Sequence, residues 1–221
     1  MRRVLASMLL LMASPVLGAD GGGALVVGAP RGALGQQASV AGGLAGHALF
    51  PARSAVLSLR VEGSFLVYGS ETVRLPVPRT AGRIDREVTT DNSIAQIGIG
   101  PQLVLPFPGV RPYLHAFAGV TYLSTTSRLR DPDGFVSATS TNYDDTGVAY
   151  GGGGGLLVPL HGRGASLDLG VRYVRTGSVR FLAEGDLAPA AGGVSALPHR
   201  GRADVLEFRL GLAFGERAHS R

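Results

Sequence analysis

Residues 204–214 read D-V-L-E-F-R-L-G-L-A-F and alternate without a break. In an extended chain successive side chains point to opposite faces. Leu206, Phe208, Leu210, Leu212 and Phe214 therefore share one side, and Val205, Glu207, Arg209, Gly211 and Ala213 share the other. One face is wholly apolar; the other carries a Glu and an Arg. This is a strand that separates an apolar surrounding from a polar one.

The other end of the chain says where such a strand is sent. Arg2 and Arg3, an apolar core from Val4 to Leu17, and small residues at Gly18 and Ala19 read as a secretory signal peptide over residues 1–19. Cleavage after Gly18 or after Ala19 fits equally. The apolar core is too short for a membrane-spanning helix. There is no Cys, so a lipid anchor, a disulfide and a thiolate metal site are all excluded. Without Arg2 and Arg3, 19 of the 21 basic residues remain against 16 acidic ones, a net charge near +3 with signs interspersed. That balance argues against a nucleic-acid partner. With 34 Gly among 221 residues, no amphipathic helix emerges.

Seven further stretches alternate: about 22–29, 37–50, 55–68, 93–105, 112–124, 146–160 and 165–175. Leu57, Leu59, Val61, Phe65 and Val67 oppose Ser58, Arg60, Glu62 and Ser64. Leu114, Ala116, Ala118, Val120 and Tyr122 oppose Tyr113, His115, Phe117, Gly119 and Thr121. Leu167, Leu169, Val171 and Tyr173 oppose Ser166, Asp168, Gly170 and Arg172. No apolar face contains a charge. The connections at 51–54, 106–111 and 161–164 are short and rich in Pro or Gly, as turns require. Those at 69–92, 125–145 and 176–202 are long and polar, whereas 30–36 is short.

Short turns on one side and long loops on the other are the layout of outer-membrane barrels. The spacing predicts an all-β fold: an eight-stranded antiparallel up-and-down transmembrane β-barrel over residues 20–214, followed by a short tail, 215–221. With short turns facing the periplasm, Tyr122, Tyr150 and Tyr173 fall at the external interface. Phe50 and Phe214 fall at the periplasmic one, giving an aromatic girdle of five residues. Alternation alone also fits an exported soluble barrel with its apolar face turned inward around a small apolar ligand. The polar faces hold mostly Gly, Ala, Ser and Gln with few charges, which favours the membrane.

On this architecture and the closing strand L-E-F-R-L-G-L-A-F, the chain from about Gly22 to Phe214 resembles the small eight-stranded outer-membrane barrels, the group of the outer-membrane-protein-A transmembrane domain and the opacity-type porins. The resemblance implies a monomer in the outer membrane of a Gram-negative bacterium, in contact with membrane lipid and lipopolysaccharide and delivered by the barrel-insertion machinery. The group ends on a terminal aromatic; here Phe214 is followed by G-E-R-A-H-S-R.

Three pairs, Arg60 with Glu62, Asp168 with Arg172, and Glu207 with Arg209, fall on the inward faces. An eight-stranded lumen is just wide enough for side chains to fill, and buried charges must be paired. The expectation is a lumenal charge network that plugs the barrel, with a narrow porin-like channel as the alternative. The run Gly151 to Gly155 lacks the Lys-Ser/Thr of a phosphate loop. It is expected instead to make room for Phe117, placed opposite Gly153. His47, His115, His161, His199 and His219 are scattered, without metal spacing or an assignable catalytic partner. Catalytic residues, cofactors and metals are all expected to be none. Loop arginines such as Arg74, Arg128, Arg175, Arg180, Arg200 and Arg202 suit either solvent or lipopolysaccharide phosphates. The expected role is non-enzymatic: envelope structure, or surface interaction through the external loops.

Overall fold

The computed structural model describes residues 20–52, 54, 56–79, 82–130, 136–160, 164–181, 187–190, 193–196 and 199–215. The expected signal peptide, His161, His219 and tail residues 216–221 lie outside these. The elements are β1 (Asp20–Gly32), a 3-10 turn (Leu34–Gln36), β2 (Ala41–Pro51), β3 (Leu57–Arg79), β4 (Gly82–Val104), β5 (Arg111–Arg130) and β6 (Val136–Leu160). β7 (Ala165–Thr176), β8 (Ser178–Phe181), β9 (Leu187–Ala190), β10 (Gly193–Ala196) and β11 (His199–Phe214) complete the chain.

β1 to β7 pair antiparallel in sequence order, β7 pairs with β11, and β11 returns to β1 from Gly21–Phe214 to Gly32–Ala203. Eight strands thus close a ring without an open edge. β8 continues β7 past Gly177 and covers only residues 199–202 of β11. Facing residues measure the stagger. Asp20 faces Leu49, Leu49 faces Arg60, and Arg60 faces Gly100. Gly100 and Phe117 fall between the pairs Ile99–Ala118 and Gln102–His115. Phe117 faces Gly151, then Val174, Val205 and finally Pro30, ten positions beyond the start. Eight strands with that stagger tilt by about 40° at ordinary strand spacings.

The faces follow the alternation read from the sequence. Leu25, Ile97, Leu114, Val148 and Leu210 are each more than half exposed on the outside, whereas Arg60, Glu62, Arg172 and Glu207 are buried inside. Three placements differ. The sequence 69–92, expected as a loop, continues β3 and β4 as a paired ribbon from Ser70–Asp91 to Arg79–Gly82. Likewise 125–145 carries β5 and β6 up to Arg130–Val136. These segments are long and polar, and the alternation Val73, Leu75, Val77 is interrupted by Pro76 and Pro78, but Ser and Thr bond across the ladder: Ser70 to Asp91 at 2.8 Å, Thr72 to Thr89 at 3.2 Å, and Thr90 to Ser127 at 2.7 Å. β2 begins at Ala41 rather than 37, because Gln37 and Ala38 donate to the Leu34 carbonyl and finish the 3-10 turn.

Candidate functional site

Glu62 is the hub of the barrel interior. β3 turns it inward, and its Oε2 accepts from Arg60 Nε at 2.7 Å and from Arg209 Nη1 at 3.2 Å. Its Oε1 accepts from Arg172 Nη1 at 2.7 Å. Arg172 spans the lumen: Nη2 and Nε also donate to Glu207 at 2.7 and 3.0 Å, and Nη2 reaches Ser64 and Gln96, both at 2.9 Å. Arg60 Nη1 donates to Gln102 at 2.6 Å, and Arg209 Nε lies 3.5 Å from Glu207. Charged groups in a low-dielectric interior are tolerable only with this density of partners.

The expected Asp168–Arg172 pair does not form. Asp168 accepts the Tyr113 hydroxyl at 2.8 Å, and Arg172 turns to Glu62 and Glu207 instead. Residues four apart on one strand lie about 13 Å apart, beyond a direct contact. Ser64, Gln96, Gln102 and His115, whose Nε2 is 3.7 Å from Glu62, join the cluster, to which the sequence reading had not assigned them. The signal for them was present: each is a polar residue on an inward face.

Three aromatic rings of β5 press into glycines of neighbouring strands. A Cβ on Gly98 would come 2.7 Å from the Phe117 ring, and one on Gly151 would come 3.2 Å from it. A Cβ on Gly153 would come 2.9 Å from the His115 ring, and one on Gly155 or on Gly170 would come 2.6 Å from the Tyr113 hydroxyl. Phe117 faces Gly151, so the expected Phe117–Gly153 pairing is two residues out of register on the correct face. The socket holds Phe117 beneath the Arg172 guanidinium, 4.9 Å from the ring centroid, a cation–π distance.

Apolar layers bound the charges at both ends. Toward the long hairpins, Leu66, Ile94, Leu123, Val205 and Ala203 pack with Leu34 of the 3-10 turn and with Val179 and Phe181 of β8. Toward the short turns, Tyr113, Leu157 and Ala213 pack with Val104. The roles of Val179 and Phe181 were hidden in what reads as a loop.

On the outer surface, Tyr122, Tyr150 and Tyr173 are exposed near the hairpin end, and Phe50 and Phe214 near the turn end. Tyr173 donates to Asp204 at 3.1 Å, and Asp204 also accepts from the Thr176 amide at 3.0 Å, fastening β7 to β11 at the rim. Above them a polar cleft is lined by Asp145, Ser178, Arg180 and Arg200. The side chains of Arg74 and Arg128 lie outside the described set. No group of three His, Cys, Asp or Glu side chains suited to a metal occurs among the described residues.

Comparisons with protein-family models and with curated proteins find no match. Among solved structures, the chain is similar to Neisserial surface protein A at 15% identity and a TM-score of 0.48, covering 90% of this chain and 97% of that one. It is similar to Ail, the attachment invasion locus protein of Yersinia pestis, at 12% identity and a TM-score of 0.42, covering 89% and 96%. A major outer membrane protein from Thermus thermophilus matches at 16% identity and a TM-score of 0.40, covering 89% and 98%. By its own strand pairing and closure, the chain is a closed, eight-stranded, antiparallel up-and-down β-barrel.

Proposed function

We propose that this chain is a non-enzymatic, integral outer-membrane barrel of a Gram-negative bacterium that holds a stiff β-sheet above the membrane as its interaction surface. The observation that carries this reading is the inversion of its two sides. Arg60 and Arg172 are among the largest fully buried side chains, while Leu114 and Val148 are 63% exposed in an outward band free of charge. In water such a band would be a large apolar liability. In lipid, a closed barrel with apolar residues outside satisfies every backbone group and matches its surroundings. An exported soluble barrel with an apolar interior calls for the opposite orientation.

The exposed Tyr122, Tyr150, Tyr173, Phe50 and Phe214 then form the two interfacial belts. The charge network and its apolar layers form a plug, so the barrel is a scaffold rather than a channel. The acting part is the sheet of β3 to β6 above the rim, where β4 and β5 stay paired as far as Glu87–Arg130. Among the described residues β2 pairs with β3 only as far as Val67, and the backbone edge of β3 from Thr72 onward is the ladder we assign to an incoming strand. Arg175, Arg180, Arg200 and Arg202 at the rim suit lipopolysaccharide phosphates.

Fractionation together with a heat-modifiability gel tests the reading. Unboiled protein is expected in the outer-membrane fraction, migrating faster than boiled protein. A soluble, monodisperse protein recovered from the periplasm overturns it.

A further inference from the structure

At the external end of the barrel two arginines face each other. β8 pairs with β11 so that Arg180 stands directly opposite Arg200, with Ser178 opposite Arg202 in the row below. The same ribbon buries Val179 and Phe181 in the apolar layer, so the four polar residues share its other, outer side. Like charges on directly facing positions of a ladder repel. Arg202 lies 3.8 Å from Asp204. Arg180 Nε is 3.9 Å from Asp145 Oδ2, beyond hydrogen-bond reach. Arg200 donates through Nε to Ser178 Oγ at 3.3 Å and has no carboxylate partner among the described residues.

Between β6 and β8 the sheet opens. The β6–β7 ladder ends at Ala149–Thr176, and the Gly177 amide makes one last bond to the Val148 carbonyl at 2.9 Å. Beyond it Asp145 spans the gap with its side chain. Oδ2 accepts from the Arg180 amide at 2.7 Å and Oδ1 from the Thr146 amide at 2.9 Å, which fixes the carboxylate. The gap is the polar cleft lined by Asp145, Ser178, Arg180 and Arg200, with a volume of about 390 Å³. That lies in the range of small-molecule sites, roughly 300–1,000 Å³.

We propose that this cleft binds a phosphorylated sugar, with the phosphate held between Arg180 and Arg200 and the sugar hydroxyls on Asp145 and Ser178. Water solvates two facing guanidiniums but brings no charge to them, whereas a phosphate turns their repulsion into a shared contact, for which the guanidinium fork is shaped. Asp145 sets the rest of the specificity. Its fixed carboxylate repels a bare anion and accepts hydroxyl donors, so the ligand is an anion at one end and a polyol at the other. The polar lining excludes an apolar ligand. Height names a source. Arg200 lies six positions beyond Leu206, the partner of Tyr173 in the aromatic belt. On a strand tilted by about 40° that is a rise of roughly 15 Å, above the lipid A phosphates and level with the core sugars of lipopolysaccharide. The source rests on the proposed membrane location; the site itself does not.

Calorimetry on the folded full chain in a zwitterionic detergent tests the site with α-glucose 1-phosphate, inorganic phosphate and glucose. Glucose 1-phosphate is expected to bind saturably and about tenfold more tightly than phosphate, and glucose not to bind. Arg180→Gln or Arg200→Gln is expected to weaken it by about tenfold or more. Arg31→Gln, the same loss of charge on exposed β1, is expected to leave it unchanged. No saturable binding, equal affinity for phosphate and glucose 1-phosphate, or full binding by Arg200→Gln overturns the proposal. The comparison of the three probes needs no variant, so it decides even if a substitution prevents folding. Competition then assigns the source. Lipopolysaccharide with a phosphorylated core is expected to displace the probe, and lipopolysaccharide that keeps only its lipid A phosphates is not. Displacement by both overturns the sugar phosphate in favour of lipid A. Displacement by neither, with the probe still bound, leaves the site standing and assigns it to a free sugar phosphate. Because the probe is read in detergent, failure of the site is distinct from failure of the membrane location, which fractionation reads.

Discussion

Arg172 and Glu62 stand 110 residues apart in the chain, yet Nη1 of one donates to Oε1 of the other at 2.7 Å across the barrel. Strands β3 and β7 are not neighbours in the ring; these two side chains join opposite walls. Glu62 also serves Arg60 and Arg209, whereas Glu207 serves Arg172 and Arg209. Glu62→Gln, which removes the carboxylate shared by three arginines and leaves Arg60 without its ion-pair partner, is expected to destabilise the barrel by about 3–5 kcal/mol. Glu207→Gln should cost less. Urea unfolding of the two variants in lipid vesicles gives the order, and equal or reversed costs would remove Glu62 from its central place.

The outward face makes a graded prediction. Ile99 pairs with Val61 and Ala118 midway along the apolar band, while Val120 lies two residues from Tyr122 at the rim. An Arg at the bilayer midplane costs about 2–4 kcal/mol and near an interface about 0–1. Ile99→Arg is therefore expected to cost more than Val120→Arg when folding is measured in lipid. The same costs in detergent and lipid, or no cost for Ile99→Arg, would place this face away from acyl chains.

How much of this was legible in the sequence depended on distance along the chain. Arg60 and Glu62, two apart on one face, could be matched from the strand period alone. The partners of Arg172 could not, because they sit on β3 and β11 and only the ring closure brings them together. Register was the next thing lost. Sliding β6 by two residues against β5 keeps every side chain on its face, so the pattern cannot distinguish Gly151 from Gly153 as the neighbour of Phe117. The external ribbons were read as loops because they are long and polar and carry many charges and the prolines Pro76 and Pro78, although their backbones pair as the barrel does.

The glycine sockets predict a coupling. A Cβ at Gly98 meets the Phe117 ring at 2.7 Å, with the Ala118 carbonyl oxygen next at 3.3 Å. Gly98→Ala should destabilise, and adding Phe117→Ala should recover part of that loss through a non-additive term of about 0.5–3 kcal/mol. Gly151→Ala is a contrasting case, since its Cβ would also press on the Tyr173 carbonyl, which the Phe117 change does not move. Strict additivity in the Gly98–Phe117 cycle would mean that the ring is not seated as described.

A barrel interior closed by Phe181, Leu66 and Ile94 above and by Tyr113 and Leu157 below is not expected to conduct. Purified protein in planar bilayers should give no steady current at concentrations where a pore is readily seen. Discrete ohmic steps that disappear in Arg172→Ala would restore the channel reading.

The external ribbon can be separated from the barrel. Leu66 and Tyr68 of β3 and Asn92 and Ile94 of β4 are buried, and beyond Ser70–Asp91 the ribbon continues above the rim. Tolerance to truncation follows from which buried groups and backbone bonds are lost. Replacing residues 71–90 by Asn-Gly, a two-residue turn suited to a hairpin, removes the ribbon and leaves the ladder from Ser70–Asp91 downward intact. The shortened chain is expected to insert, to keep its heat-modifiable mobility, and to unfold close to the parent temperature, while losing whatever surface binding the parent shows. If it fails to insert, the ribbon belongs to the folding unit, and the division between a closed scaffold and a displayed sheet has to be given up.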